Sequence, residues 1–275
     1  MDTHYMKISE FAKVTGITRR NLLFYDKIGL LSPALMNQDN NYRYYTYQQI
    51  DTANVITVMR ETGMSLKEIK EYLSSRSPAR LIELLEQQKE IVQKKVQTLM
   101  QINDMLDTRI SLTQSGLHAE KDISAIELKE CRAIPILLGP ELAEDSHILA
   151  GWYYLVQFYE FCRENQIIQG LPTGTIISKE DLLQGNYSHL SRYYHRPVCT
   201  SSCPTNSQIP CGLYVIGQEH TDYGQNMNLY TRLINYIDES KLTICGNAYE
   251  EYLLDEISTT EPEQYLLQIA IQVCS

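Results

Sequence analysis

Two neighbouring stretches, VTGITRRNLLFYDKIGLL (residues 14–31) and NNYRYYTYQQI (residues 40–50), set the reading of the whole 275-residue chain. Ahead of the first, Ile8, Phe11, Ala12 and Val14 recur at helical spacing, and Thr15-Gly16 breaks that helix after about two turns. Thr18 is suited to cap a second helix, with Leu22, Leu23 and Phe24 as its apolar side. That helix ends by Gly29, because glycine takes the left-handed cap conformation without a Cβ clash. Helix, short glycine turn, helix is the helix-turn-helix pattern. Arg19, Arg20 and Asn21 fall at the N-terminal end of the second helix, where such helices meet base edges and phosphates; Tyr25 and Lys27 follow at its far end.

In residues 40–50, Asn40-Asn41 is a turn signal, since Asn tolerates positive φ, and the hairpin it makes presents Tyr42 and Arg43 at its tip. Residues 51–59 read as a helix with Ala53, Ile56 and Val58 available for packing. Arg60 precedes the Gly63 break, and Ser65 with Glu68 forms an S-x-x-E capping box at the start of SLKEIKEYL.

The segments ISEFAKVTGI (8–17), FYDKIGLL (24–31), NYRYY (41–45) and GMSLKEIK (63–70) together resemble the winged-helix domain of MerR-family transcription regulators, over about residues 6–73. The chain departs from the family at Leu23, often Arg there, and at Asn40-Asn41, commonly Asn-Gly. The resemblance implies a winged helix-turn-helix in residues 1–76. It also implies DNA contacts from Thr18, Arg19, Arg20, Asn21, Tyr25, Lys27, Tyr42, Arg43, Arg60 and Ser65. In such regulators the dimer sits between two promoter elements with an overlong spacer and distorts the duplex so that RNA polymerase can engage both.

From Ser77-Pro78 a helix is expected over residues 77–112, with Leu85, Val92, Leu99 and Leu106 at intervals of seven. An apolar heptad repeat of that length reads as a coiled-coil seam, since roughly 50 Å of helix exceeds what one small domain can cover. A homodimer follows, and with it a roughly palindromic operator on double-stranded promoter DNA. Residues 113–122 (TQSGLHAEKD) are polar with one Gly and read as a linker.

Composition changes beyond the linker. Residues 1–80 hold 11 Lys+Arg against 8 Asp+Glu, whereas the remainder holds 13 against 26, so the net charge of −10 conceals a basic head. Thirteen of the 20 tyrosines lie after residue 150. Residues 123–275 read as an α+β domain in which a strand–helix–strand–strand order occurs twice: strands in 123–139, helix 150–162, strand 174–177, then strand 212–218, helix 225–237 and strands 242–254 and 265–273. GNAYEEYLLD (246–255) and PEQYLLQIAIQV (262–273) resemble the GyrI-like effector-binding domain. With the MerR-like head, this points to the multidrug-sensing branch of that family.

Alternation along 249–254 sends Glu250 and Tyr252 to one face and Tyr249, Glu251 and Leu253 to the other. A carboxylate inside such a strand must stay protonated or meet a cation, and a surrounding of tyrosines suits lipophilic cations. By resemblance Glu250 pairs with a positive small-molecule effector; Tyr252, Tyr265, Tyr153, Tyr154 and Tyr187 are the candidate walls. Two other readings follow from the same residues. A buried Glu can activate water, making the domain a hydrolase, but no His or second acid stands at a compelling spacing. Cys199, Cys203 and Cys211 with His189 and His195 could bind metal or sense thiol chemistry, but C-x3-C-x7-C is not a common zinc spacing. The expectation is therefore a regulator without catalytic residues, cofactor or metal. Seven scattered cysteines, no apolar run of about 18 residues and no signal-like start point to a cytoplasmic protein without membrane association.

Overall fold

The structure, a computed structural model, describes residues 5–119, 122–142, 151–168, 170–197 and 204–275. The chain divides into two compact units, Met1–Val96 and Gln97–Ser275.

In the N-terminal unit a short strand β1 (Tyr5–Lys7) leads into α1 (Ile8–Thr15) and α2 (Arg19–Lys27). The turn between the helices places Gly16 at φ 70°. Thr18 Oγ1 then accepts the Asn21 amide at 3.2 Å, satisfying one of the free donors at the start of α2. Strands β2 (Leu35–Met36) and β3 (Arg43–Thr46) form a hairpin whose loop has Asn41 in the left-handed region at φ 55°. β1 adds to the outer side of β3, giving a three-stranded sheet that the sequence pattern did not foretell. Helices α3 (Gln48–Glu61) and α4 (Leu66–Ser74) complete the unit. Phe11, Leu22, Tyr45, Ile56, Met59 and Ile69 are fully buried, with Phe11 stacked on Tyr45 at 4.4 Å.

Several packing expectations are corrected here. Leu23 and Phe24 are exposed on α2, and the buried partners of Leu22 on that helix are Tyr25 and the chain beyond it. Val58 faces solvent, and Met59, one position on, fills the core instead.

Helix α5 (Pro78–Ala119) is longer than expected and continues through most of the segment read as a linker. Its C-terminal part buries Gln101, Asp104, Thr108, Leu112 and Gly116, spaced three or four apart and therefore on one face. A Cβ at Gly116 would lie 2.7 Å from the Leu254 side chain, so this glycine serves close packing of helix on strand rather than a turn.

The C-terminal unit is built on one antiparallel sheet of eight strands in the order β4 (Ile126–Cys131), β9 (Gly212–His220), β11 (Leu266–Cys274), β10 (Thr243–Leu254), β6 (Thr173–Ile177), β7 (Arg192–His195), β5 (Ile134–Glu141), β8 (Ser207–Ile209). Helices α6 (Gly151–Glu164) and α8 (Met227–Glu239) lie in the two strand–helix–strand–strand repeats β5-α6-β6-β7 and β9-α8-β10-β11. A short helix α7 (Lys179–Gln184) follows β6. In each repeat the strands lie in the order first, third, second, so the second strands, β6 and β10, meet at the centre of the sheet. One face carries the larger core, with Phe158, Tyr230, Leu233, Ile177, Leu267 and Ile269. The other carries a smaller cluster around Tyr194, Tyr214 and Tyr249.

Candidate ligand cavity and nucleic-acid face

The junction of β6 and β10 brings Thr175 opposite Glu250 in register. On the helix-covered face above that pair lies a cavity of about 480 Å³, within the range of small-molecule sites. Tyr159 and Leu155 of α6 line it, together with Thr173 and Thr175 of β6, Tyr193 of β7, Asn226 before α8, and Glu250 and Tyr252 of β10. Tyr223, Arg109, Asp255 and Glu256 also line it.

Glu250 is only 5% exposed. Its Oε1 accepts hydrogen bonds from Asn226 Nδ2 and the Tyr230 hydroxyl, both at 2.8 Å, and its Oε2 accepts one from Thr175 Oγ1 at 2.8 Å. All three donors are neutral. Burial therefore prevails over the hydrogen bonds, and the carboxyl is held above its ordinary pKa. Tyr230, fully buried and stacked on Tyr187 at 4.7 Å, is pushed well above the phenol range by burial and by the adjacent Glu250. Asn226 gives both amide hydrogens to acceptors, Glu250 and the Tyr187 carbonyl, and its buried Oδ1 has no partner among the described residues. Nearby, His195 is wholly buried and lowered to about 4 by desolvation. Its Nδ1–H donates to the Pro172 carbonyl at 2.9 Å, so the ring is a neutral acceptor at its other nitrogen.

The face parity of β10 is as alternation requires: Glu250 and Tyr252 line this cavity, while Tyr249 and Glu251 line a smaller one of about 210 Å³ on the opposite face. There Glu251 is paired twice with Arg196, at 2.8 and 2.7 Å. The other candidate wall residues lie elsewhere. Tyr153 is exposed on α6, and Tyr154 and Tyr187 pack against the larger core. Tyr265 is buried behind Tyr223, with ring centroids 5.4 Å apart. Sequence reasoning did not find Tyr159, Tyr193, Tyr223, Asn226 or Arg109. Helical or strand phase within each element could have shortlisted the tyrosines, but only the strand order joins them.

On the N-terminal unit, Thr18, Arg19, Arg20, Asn21 and Lys27 are exposed along α2, and Tyr42 is exposed on the hairpin. Tyr25 is a correction: its ring belongs to the core, so a contact from this residue is limited to its hydroxyl end. Arg43 is half-buried, and its Nε donates to Asp26 at 2.8 Å, which ties the hairpin to α2. Arg60 Nη1 donates to the Met64 carbonyl at 2.6 Å and fixes the turn that carries Ser65. Ser65 is occupied by its capping box, accepting the Glu68 amide at 3.2 Å and donating to the Glu68 carboxylate at 2.6 Å.

Along α5, Leu85, Val92, Leu99 and Leu106 are all exposed, at 48, 41, 63 and 50%. The C-terminal part of the helix thus buries a mostly polar and small-residue face, while an apolar stripe along the helix stays open. Among the described residues no group of three or more His, Cys, Asp and Glu is placed to hold a metal ion, and Cys199 and Cys203 lie outside those residues. No helix among them is long and apolar enough to cross a membrane.

Comparison with known proteins agrees with both halves of the reading. Residues 6–76 match the MerR HTH family regulatory protein model, and residues 50–109 match the MerR DNA-binding model. The multidrug-efflux transporter 2 regulator of Bacillus subtilis (strain 168) is 30% identical over 273 residues, covering 98% of this chain and 96% of the relative. The multidrug-efflux transporter 1 regulator of the same organism is 24% identical, covering 99% of each chain. A cryo-EM structure of an EcmrR–DNA complex aligns over 98% of this chain and 99% of that one at 18% identity and a TM-score of 0.39. With a 30%-identical relative matched from end to end and both DNA-binding models in place, the chain belongs to the MerR family of helix-turn-helix transcription regulators.

Proposed function

We propose that this regulator is a cytoplasmic homodimer that grips promoter DNA with its N-terminal units and binds a lipophilic organic cation at Glu250. The observation that carries the ligand class is a buried carboxylate surrounded by aromatic rings and bonded only to neutral donors. Such a group is costly in its charged form until a cation arrives, and tyrosine rings add cation–π attraction. The unpartnered Asn226 Oδ1 beside it is a second polar atom with unused capacity. The names of the two Bacillus subtilis relatives, which denote regulators of multidrug-efflux transporters, support the same class.

The apolar stripe of α5 is the dimer seam, since exposed Leu and Val at heptad spacing have no other use in a soluble helix. Arg19, Arg20, Asn21, Lys27 and Tyr42 supply direct contacts to the duplex, and Arg43 acts mainly by setting the hairpin against α2. By family resemblance, effector binding favours the state that distorts an overlong promoter spacer for RNA polymerase. Binding proceeds without turnover of the effector.

Titrating tetraphenylphosphonium into the full-length protein, followed by the fluorescence of the single tryptophan Trp152, tests the site. Replacing Glu250 by Gln should weaken binding at least about tenfold, a loss of ~1.4 kcal/mol, while DNA affinity is unchanged. Unaltered binding by that variant would remove Glu250 from the reading. Arg20→Ala should lower DNA affinity and the steepness of its salt dependence; a slope equal to wild type would take Arg20 off the interface.

A further inference from the structure

The walls of the Glu250 cavity hold three carboxylates and one guanidinium. The three acids are treated differently. Among the described residues Glu250 bonds only to neutral donors. Glu256 accepts the Tyr223 hydroxyl. Asp255 accepts the Ile257 amide on Oδ1 at 3.1 Å and is ion-paired to Arg109 on Oδ2. Arg109 belongs to α5, and its Nε also donates to the Gly170 carbonyl at 3.2 Å. The pair is largely shielded from solvent, with side chains 26 and 14% exposed.

Glu256 is exposed to solvent, so the cavity has two shielded anionic stations, Glu250 without a cation and Asp255 with one supplied by the protein. Asp255 lies five residues beyond Glu250 on the same chain, a backbone distance of at most about 16 Å if fully extended. A compact monocation can neutralise Glu250 and leave Arg109 in place. A ligand with two cationic groups can neutralise both stations, but only by expelling Arg109. That exchange swaps one cation for another at Asp255, so neither state has to leave the carboxylate bare. Modest differences in ligand affinity are enough to tip such an equilibrium.

Resting on the reading of this cavity as a cation site, we propose that Arg109 is a specificity-determining residue: it is the resident counter-cation of Asp255, and elongated bis-cationic effectors take its place there. Arg109 thus sets the preference between monocations and bis-cations, and the occupancy of Asp255 reports to α5 which kind has bound.

The test uses full-length protein and two probes, tetraphenylphosphonium (one charge) and decamethonium (two), with affinities from isothermal titration calorimetry. In Arg109→Met the second station stands open, so decamethonium should bind about tenfold more tightly while tetraphenylphosphonium changes by less than about threefold. Arg109→Lys keeps the charge and should retain the wild-type preference. The double variant Arg109→Met/Asp255→Asn removes both charges, keeps the site neutral if the single variant folds poorly, and should show no decamethonium gain. Equal gains for both probes, no gain for either, or a gain that survives in the double variant would overturn the proposal. Failure of the underlying cation reading registers separately, as an unchanged affinity of Glu250→Gln for both probes.

Discussion

Glu250 and Glu251 are neighbours on one strand and are handled in opposite ways. Glu251 points to the smaller cavity and is paired there in a fork with Arg196. Glu250 points to the larger one and is bonded only to hydroxyls and an amide. A buried acid with its own guanidinium is electrostatically complete and serves the fold. A buried acid held by neutral dipoles is positioned but unneutralised, and can contribute binding energy to a cation from outside. The contrast separates structural from ligand-directed chemistry within a single pair of residues.

The largest expected effect lies on the Glu251 side. Arg196→Met leaves a mostly buried carboxylate without its partner and should cost about 3 kcal/mol, the low end for a buried pair because Arg196 is 30% exposed, read as a lowered midpoint in urea denaturation. Cation affinity of the folded fraction should stay within about threefold of wild type. A strong loss of cation binding there would mean that the two faces of β10 are not independent.

The pH dependence sharpens the other side. Because burial raises the Glu250 pKa, the native state holds that proton more tightly than the unfolded chain does. Its stabilising contribution is complete below the ordinary carboxylate pKa of about 4.3 and is lost as pH rises through the raised native value. Cation binding runs the opposite way, since only the ionised form attracts the ligand. Affinity for tetraphenylphosphonium should fall as pH drops through the raised pKa, and Glu250→Gln should flatten that profile. A wild-type profile flat between roughly pH 4 and 8 would show that Glu250 stays in one protonation state across that range.

A smaller change is expected on removing one donor from the carboxylate. Tyr230→Phe deletes a 2.8 Å hydrogen bond to Glu250 and should weaken cation binding about two- to fivefold, within the ~0.5–1.5 kcal/mol of a typical hydrogen bond. Thr175→Val, which removes the more accessible donor on the other carboxylate oxygen, should do the same to a slightly lesser degree. If either change strengthened binding, the neutral donors would be competitors of the ligand rather than its supports.

Much of the N-terminal unit was legible because its signals are local. A cap at Thr18, a left-handed Gly16 and the Ser65–Glu68 box depend on residues within a turn of one another, and each is found where the spacing puts it. Burial on α2 was less legible: Leu23 and Phe24 are as apolar as Leu22 but face outward, and Tyr25 takes the core position. The segment after Leu112 misled for a similar reason. Its polar residues and Gly116 have the composition of a linker, yet Gly116 is the point where α5 approaches Leu254 too closely for a Cβ.

Periodicity alone was enough to read the parity of β10, the strand–helix–strand–strand order of the second repeat, the basic helix α2 and the apolar heptad stripe, whereas β7 of the first repeat was not read. Each feature that was read follows from a period of 2, 3.6 or 7 residues within one element. Which residues share the cavity with Glu250 follows instead from strand order and packing. Residues 109, 159, 175, 193, 223 and 250 meet because β6 and β10 are central neighbours and α5, α6 and the start of α8 converge on the same side. No periodicity within an element encodes that meeting. It depends on strand order and helix packing, through which groups far apart in the chain come to share one desolvated space.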